Sequence, residues 1–276
     1  MANRVEYAHR HIIRTYGENP LSEWKRLVSN QKNGLEFSTT LYFLDKYLPK
    51  RGSILDAGGG PGRYTVLLAK RGYKVTLLDA TKANIEFATK IIGRGRLTDN
   101  VERLVHGRIE NLSEFDDNSF DAVICLGGPL SHVMDKRLRE KAVRELLRVS
   151  KKNAPIFVSV MGRLMLLKGL LMKFQPELEA PYFKVFMKTG DYFGGYGFTA
   201  FHGFMQEELK HMLERAGAHV VEMAGLEGFG SYSEGYLGKL HKNKKRWDAW
   251  MKAHIDTCTR PEIVGTSEHM LIVCRK

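Results

Sequence analysis

The chain has 276 residues, 43% hydrophobic and 27% charged, enough to bury a full core in one elaborated domain. Its formal net charge of +12 attracts anions, which fits an acidic partner or simply a solvated basic surface. Cys125, Cys258 and Cys274 are odd in number and form no CxxC pair, so neither a disulfide framework nor a zinc site is expected, and no metal is assigned. The first residues, MANRVEYAHRHIIRTY, contain no apolar signal region, and the most apolar run, LMLLKGLLM from Leu164, is broken by Lys168 and too short for a bilayer. A soluble, cytoplasmic protein with no membrane partner is the expectation.

Residues 1–50 read as an N-terminal helical cap. In NPLSEWKRL, Pro20 and Ser22 are helix-start signals, and EFSTTLYFLDKYL has helical apolar spacing. From Ser53 onward, short β-rich runs alternate with helical periods, the pattern of an α/β protein whose parallel sheet is covered by helices on both faces. Strands are predicted at SILDAG, YKVTLLD, VERLVHG and FDAVICL, with helices from Pro61 to about Gly72 and from Lys82 to about Ile92 between the first three. A helix from Lys136 to Val149, a strand PIFVSVM, a helix from Gln206 to Ala216 and strands HVVEMAG and EHMLIVCRK complete the order. Two segments of the 51–276 domain stand outside this alternation, at about 163–204 and 227–266, and are read as added lids.

The stretch DAGGGPGRY, residues 56–64, lies between the first strand and the first helix, where backbone approaches a ligand closely and the helix N-terminus adds positive potential. A G-x-G-x-x-G dinucleotide fingerprint fails in both registers, because Arg63 or Thr65 stands where the third glycine is required, and no GK[ST] follows for a phosphate-binding loop. Pro61 also removes an N–H that a pyrophosphate would use. A ligand without phosphate is the better match. The second strand ends at Asp79, twenty-one residues after Gly58, where a carboxylate can accept bonds from both ribose hydroxyls.

The spacing Gly58-x-Gly60-x-Gly62 after Asp56 resembles motif I of the class I S-adenosylmethionine-dependent methyltransferases. GRIENL at 107–112 resembles that family's G-D-A-E-x-L segment beside the adenine, with Arg108 in place of the usual acid, and FDAVICLGGPLSHV is similar to its fourth strand. The resemblance covers Ser53 to Met161 and the terminal pair of strands. It implies a Rossmann-like, seven-stranded, mostly parallel sheet with an antiparallel last strand. It further implies S-adenosyl-L-methionine as cofactor, S-adenosyl-L-homocysteine as product, and a cofactor site at Asp56, Gly58, Gly59, Gly60, Gly62, Asp79, Ala80, Arg108, Ile109, Glu110 and Leu126.

Methyl transfer from a sulfonium mainly needs alignment and exclusion of water. Where a base assists, histidine is the first candidate, and His132 after the fourth strand and His202 in the lid are the two weighed against purely structural roles. Asp191 is a weaker candidate. The dense aromatics from Tyr182 to Phe204, including Tyr192 and Tyr196, suit a small apolar or aromatic acceptor, or equally a satellite core. Tyr16 and Trp24 are expected to close the site from the N-terminal side, with Arg26 or Arg63 on the cofactor's carboxylate. The rival acceptor is a nucleic acid, suggested by the charge and by KLHKNKKRW at 239–247. Against it, the chain has LGGP where a [DN]PP[YF] motif would stand, and Cys125 has no proline before it, so it reads as a core residue.

Overall fold

The computed structural model describes residues 2–194 and 198–276, with side chains from Arg4 onward. Three helices lead: α1 (Ala2–Glu18), α2 (Pro20–Arg26) and α3 (Gln31–Tyr47). The alternation follows as β1 (Ser53–Ala57), α4 (Arg63–Lys70), β2 (Lys74–Asp79), α5 (Lys82–Arg94), β3 (Val101–His106), β4 (Ala122–Cys125), α6 (Lys136–Val149) and β5 (Pro155–Met161). Next come α7 (Arg163–Lys173), α8 (Pro181–Thr189) and a two-stranded hairpin of β6 (Asp191–Tyr192) and β7 (Phe201–His202). Then α9 (Gln206–Arg215), β8 (His219–Gly225), α10 (Glu234–His241), α11 (Lys244–Thr257), α12 (Pro261–Val264) and β9 (His269–Arg275) close the chain.

The main sheet has seven strands in the order β3-β2-β1-β4-β5-β9-β8. The neighbours from β3 to β5 pair in parallel, and β9 runs antiparallel between β5 and β8. The α/β class, the seven strands and the antiparallel last strand are as the sequence led one to expect. Strands flanked by helices on both faces are apolar along their whole length, and β4 and β5 are buried almost throughout. Alternate residues feed two cores: Leu55, Leu78 and Val123 pack with α6 and α9, whereas Ile54, Leu77 and Ile124 pack with α3, α4 and α5. Phe157 is fully buried in the second core, and its truncation to Ala removes about 3–5 kcal/mol.

Two local expectations shift. Helix α2 is capped by Asn19, whose side chain accepts from Ser22 N at 3.0 Å, so Ser22 lies inside the first turn and is not the cap. Helix α4 starts at Arg63 and not at Pro61, because Gly62 takes φ +85°, left-handed backbone that a helix cannot include. No described helix is long and apolar enough to cross a membrane. The chain leaves β1 toward β2 and β3 on one side and returns to β4 on the other, so a crevice opens beyond the carboxyl ends of β1 and β4, where such sheets bind ligands.

Candidate functional site

After β1 the backbone bends sharply, with Gly58 N and Gly59 N both donating to Leu78 O, at 2.7 and 3.2 Å. A Cβ on Gly59 would lie 2.5 Å from Asp56 Cγ and Leu77 Cδ1, so its missing side chain permits packing against the sheet. Gly60, at φ +56°, differs: a Cβ there would meet only Asn84 Nδ2, at 3.9 Å. That glycine faces open space. The Asp79 carboxylate holds the loop and the next helix together, accepting from Gly60 N at 2.8 Å on one oxygen and from Thr81 N and Asn84 Nδ2, at 2.9 and 3.1 Å, on the other. Burial raises its pKa above the ordinary carboxylate value, and these donors limit the rise.

The loop forms one wall of a cavity of about 900 Å³ in the crevice. Asp79, Ala80, Arg108, Ile109, Glu110 and Leu126 line it from the strand ends, and Ile12, Tyr16 and Glu23 line it from the N-terminal helices. His132, in the short 3-10 turn Pro129–His132 after β4, also lines the cavity. Its Nδ1 lies 2.9 Å from the Ala200 carbonyl, which can only accept, so Nδ1 carries the proton. Nε2 therefore accepts the Tyr16 hydroxyl, 2.7 Å away. Burial pushes the His132 pKa down to about 4 and the Tyr16 pKa up, which keeps both groups neutral at pH 7.

The two cavity arginines of the N-terminal side differ in what holds them. Arg26 is gripped by Glu36 through two hydrogen bonds of 2.6 and 3.1 Å and by Glu23 at 3.4 Å. Among the described residues Arg63 donates only its Nε, to the Trp24 carbonyl at 2.5 Å, and its guanidinium lies 4.4 Å from the Trp24 ring centroid. Behind Arg26, Glu36 and Glu227 flank His269, whose Nδ1 is 2.6 Å from Glu227 Oε1. Burial opposes the imidazolium, yet the two carboxylates outweigh it and lift the His269 pKa to about 9. Burial likewise opposes the Glu36 charge, and Arg26 and His269 outweigh it, bringing that pKa down to about 2. Although three potential metal ligands meet here, their lone pairs already receive Arg26, His269 and Ser267 Oγ, at 3.0 Å from Glu227 Oε2. The cluster is an ion-pair latch between α3 and β9.

Most of the residues singled out in the sequence converge on the cavity: Gly58, Gly59, Gly60, Asp79, Ala80, Arg108, Ile109, Glu110, Leu126, Tyr16 and His132 all line it. Five of the described ones do not fall there. Asp56 and Gly62 sit behind the loop; Asp56 is fully buried, accepts Thr65 Oγ1 at 2.7 Å, and is pushed by burial up to about 7. Trp24 turns its ring against Phe87 and Arg63. Tyr192 and His202 are buried in the insertion, because the hairpin turns them inward: Tyr192 donates to Glu177 Oε2 at 3.1 Å, and His202 spans Asp191 and Glu208, at 2.7 and 2.8 Å. His202 thus occupies a structural bridge away from the cavity wall, whereas Asp191 does reach the lining. Tyr196 lies outside the described residues. Thr81, Asn84, Glu23 and Pro129 join the site unannounced; only the position of Asn84, five residues after Asp79, hinted at its bond to that carboxylate.

Residues 54–153 match the family model described as methyltransferase domain. The chain is 26% identical over 157 residues to a glycine/sarcosine N-methyltransferase of Aphanothece halophytica, covering 50% of this chain and 57% of that protein. It is 33% identical over 110 residues to a ubiquinone biosynthesis O-methyltransferase of Rickettsia prowazekii (strain Madrid E), covering 40% of each. The chain therefore spans about half the length of the curated relatives it matches. A solved S-adenosylmethionine-dependent methyltransferase of Methanosarcina mazei shares the fold, with a TM-score of 0.61 at 20% identity over 85% of this chain and 96% of that one. Residues 54–153 thus match a methyltransferase domain, set in a chain with the fold of a solved S-adenosylmethionine-dependent methyltransferase.

Proposed function

We propose that the chain transfers a methyl group from S-adenosyl-L-methionine to an oxygen or nitrogen of a small, partly apolar acceptor in the cytoplasm, leaving S-adenosyl-L-homocysteine. The observation that carries this is the single cavity shared by an open-faced Gly60, the Asp79 carboxylate and the neutral Tyr16–His132 pair. The residues present fit the cofactor: Gly60 leaves room beside the backbone, Asp79 offers carboxylate oxygens to ribose hydroxyls, and Ile109 and Leu126 offer apolar faces to a purine. Arg63 suits the aminoacyl carboxylate better than Arg26, since Glu36 and Glu23 already saturate Arg26. When bound, the cofactor supplies an electrophilic methyl group on a sulfonium.

The protein's share is alignment and exclusion of water. Tyr16 and Ile12 of α1 roof the cavity, so an acceptor beneath them loses bulk solvent. His132, with its proton fixed on Nδ1 and a pKa near 4, does not store a proton at neutral pH. It orients the Tyr16 hydroxyl instead, leaving the lone pairs of that oxygen for the O–H or N–H of an acceptor. The relatives' printed activities, one on an amino group and one in ubiquinone biosynthesis, support a small acceptor and leave both atoms open.

The test is transfer of labelled methyl groups from S-adenosylmethionine to glycine, sarcosine and hydroxylated quinone precursors. Label should enter one of these classes, and Tyr16→Phe should lower kcat roughly tenfold or more while leaving cofactor affinity within about twofold. Failure to bind the cofactor, or unchanged kcat in Tyr16→Phe, would overturn the reading.

A further inference from the structure

A second concavity lies between α10, α11 and the 3-10 turn Gly228–Gly230. It has a volume of about 460 Å³ and shares no lining residue with the cofactor cavity. Its floor is Gly230, where a Cβ would lie 2.6 Å from Leu35 and 3.2 Å from Trp250, so the depth is built by close backbone packing. Phe229 and Tyr236 stand on its walls 72% and 77% exposed, the highest values among the exposed large apolar side chains described. Water-facing rings of this size are unfavourable without a partner, and they occur here as a pair beside Trp250 and not scattered.

The rim has one sign. Residues 235–247, GYLGKLHKNKKRW, hold five lysines and arginines and no acid. Lys239 and Arg246 line the groove, and Lys239 Nζ lies 5.9 Å from the Tyr236 ring centroid. Lys244 pairs with Asp248, but Lys239, Lys242, Lys245 and Arg246 have no carboxylate in salt-bridge reach among the described residues. Of anionic partners, a bilayer surface calls for a continuous protruding apolar face, whereas here the two exposed rings wall a recess that also carries Lys239 and Arg246. A second copy of this chain would bring another basic rim against the first, in a chain already at +12. A groove walled by aromatic rings and edged by unpaired cations instead matches a strand of exposed bases on a phosphate backbone.

We propose that the α10–α11 face binds single-stranded nucleic acid, with one or two bases stacked on Phe229 and Tyr236 and phosphates held by Lys239, Lys242, Lys245 and Arg246. The contact reads no base edge, so it is independent of sequence, and it stands whether or not the cofactor cavity transfers methyl groups.

Fluorescence anisotropy with a labelled 12-nucleotide oligouridylate tests this directly, using the full chain. Binding should weaken about 50-fold between 50 and 200 mM salt if four phosphates are neutralised. Tyr236→Ala, at an exposed position, should weaken it roughly fivefold or more, and a Lys242→Glu, Lys245→Glu double variant should weaken it at least as much. Three outcomes would overturn the proposal. These are no anisotropy change at micromolar protein, equal loss-free binding by Tyr236→Ala, which reduces the effect to bulk charge, or sedimentation with phosphatidylglycerol vesicles in the absence of oligonucleotide binding.

Discussion

Valine at position 60 separates the binding role of the glycine loop from its folding role. The backbone there has φ +56°, which costs a residue with a Cβ about 1–2 kcal/mol, so the variant should melt about 2–8 °C lower and remain folded. Its side chain meets only Asn84 Nδ2, at 3.9 Å, and extends into the cavity. Forcing a ligand past those methyl groups costs about 1–3 kcal/mol, a rise in Kd of roughly 5- to 150-fold. Position 59 provides the contrast: a Cβ 2.5 Å from Asp56 and Leu77 collides with the sheet, so Gly59→Ala should lose stability out of proportion to any change in affinity. Titration calorimetry with S-adenosylhomocysteine, alongside thermal melts of both variants, measures the two effects separately. Wild-type affinity in Gly60→Val, or a Gly59→Ala protein as stable as the parent, would refute the division of labour.

Arg63→Met should weaken cofactor binding by about 1.5–3 kcal/mol with little change in melting temperature, since its guanidinium makes one backbone bond; calorimetry checks it. Asp56 titrates near pH 7 in the fold against 3.8 unfolded, so the folded chain holds a proton that the unfolded one has released. Its contribution is therefore present at low pH and lost as pH rises through 7, and Asp56→Asn should flatten that part of a urea-stability profile taken from pH 5.5 to 8.5. His269 is raised from 6.5 to about 9, so its contribution is complete below pH 6.5 and disappears as pH rises through 9. His269→Gln should lower stability at pH 7 by about 3 kcal/mol, because Glu227 is left buried beside fewer donors; equal urea midpoints in variant and parent at that pH would contradict the latch.

The apolar runs at 53–57, 74–79, 122–125 and 155–161 were legible as strands because each is buried on both faces, so local pattern and tertiary demand coincide. Asp79 and the glycines were legible for a related reason. A strand end followed by a tight turn has few conformations, and the residue types that permit it are distinctive. The insertion was not legible to the same degree. Its aromatics were compatible with either an acceptor pocket or a small core, and the structure puts Phe186, Tyr192 and Phe201 together in the latter while Phe193 reaches the cavity.

Sequence alone determined the order of the strands of the main sheet and the helices between them, the turn after β1 and the carboxylate at the end of β2, since all three follow from spacing within a few tens of residues. Only the tertiary structure decided that Tyr16 meets His132 across 116 positions, that Glu36 captures Arg26 while Arg63 meets the Trp24 carbonyl and ring, and that His202 is bridged by two carboxylates away from the cavity. Those pairings join elements distant along the chain. Which polar group is left free to face a ligand depends on which other groups folding brings beside it.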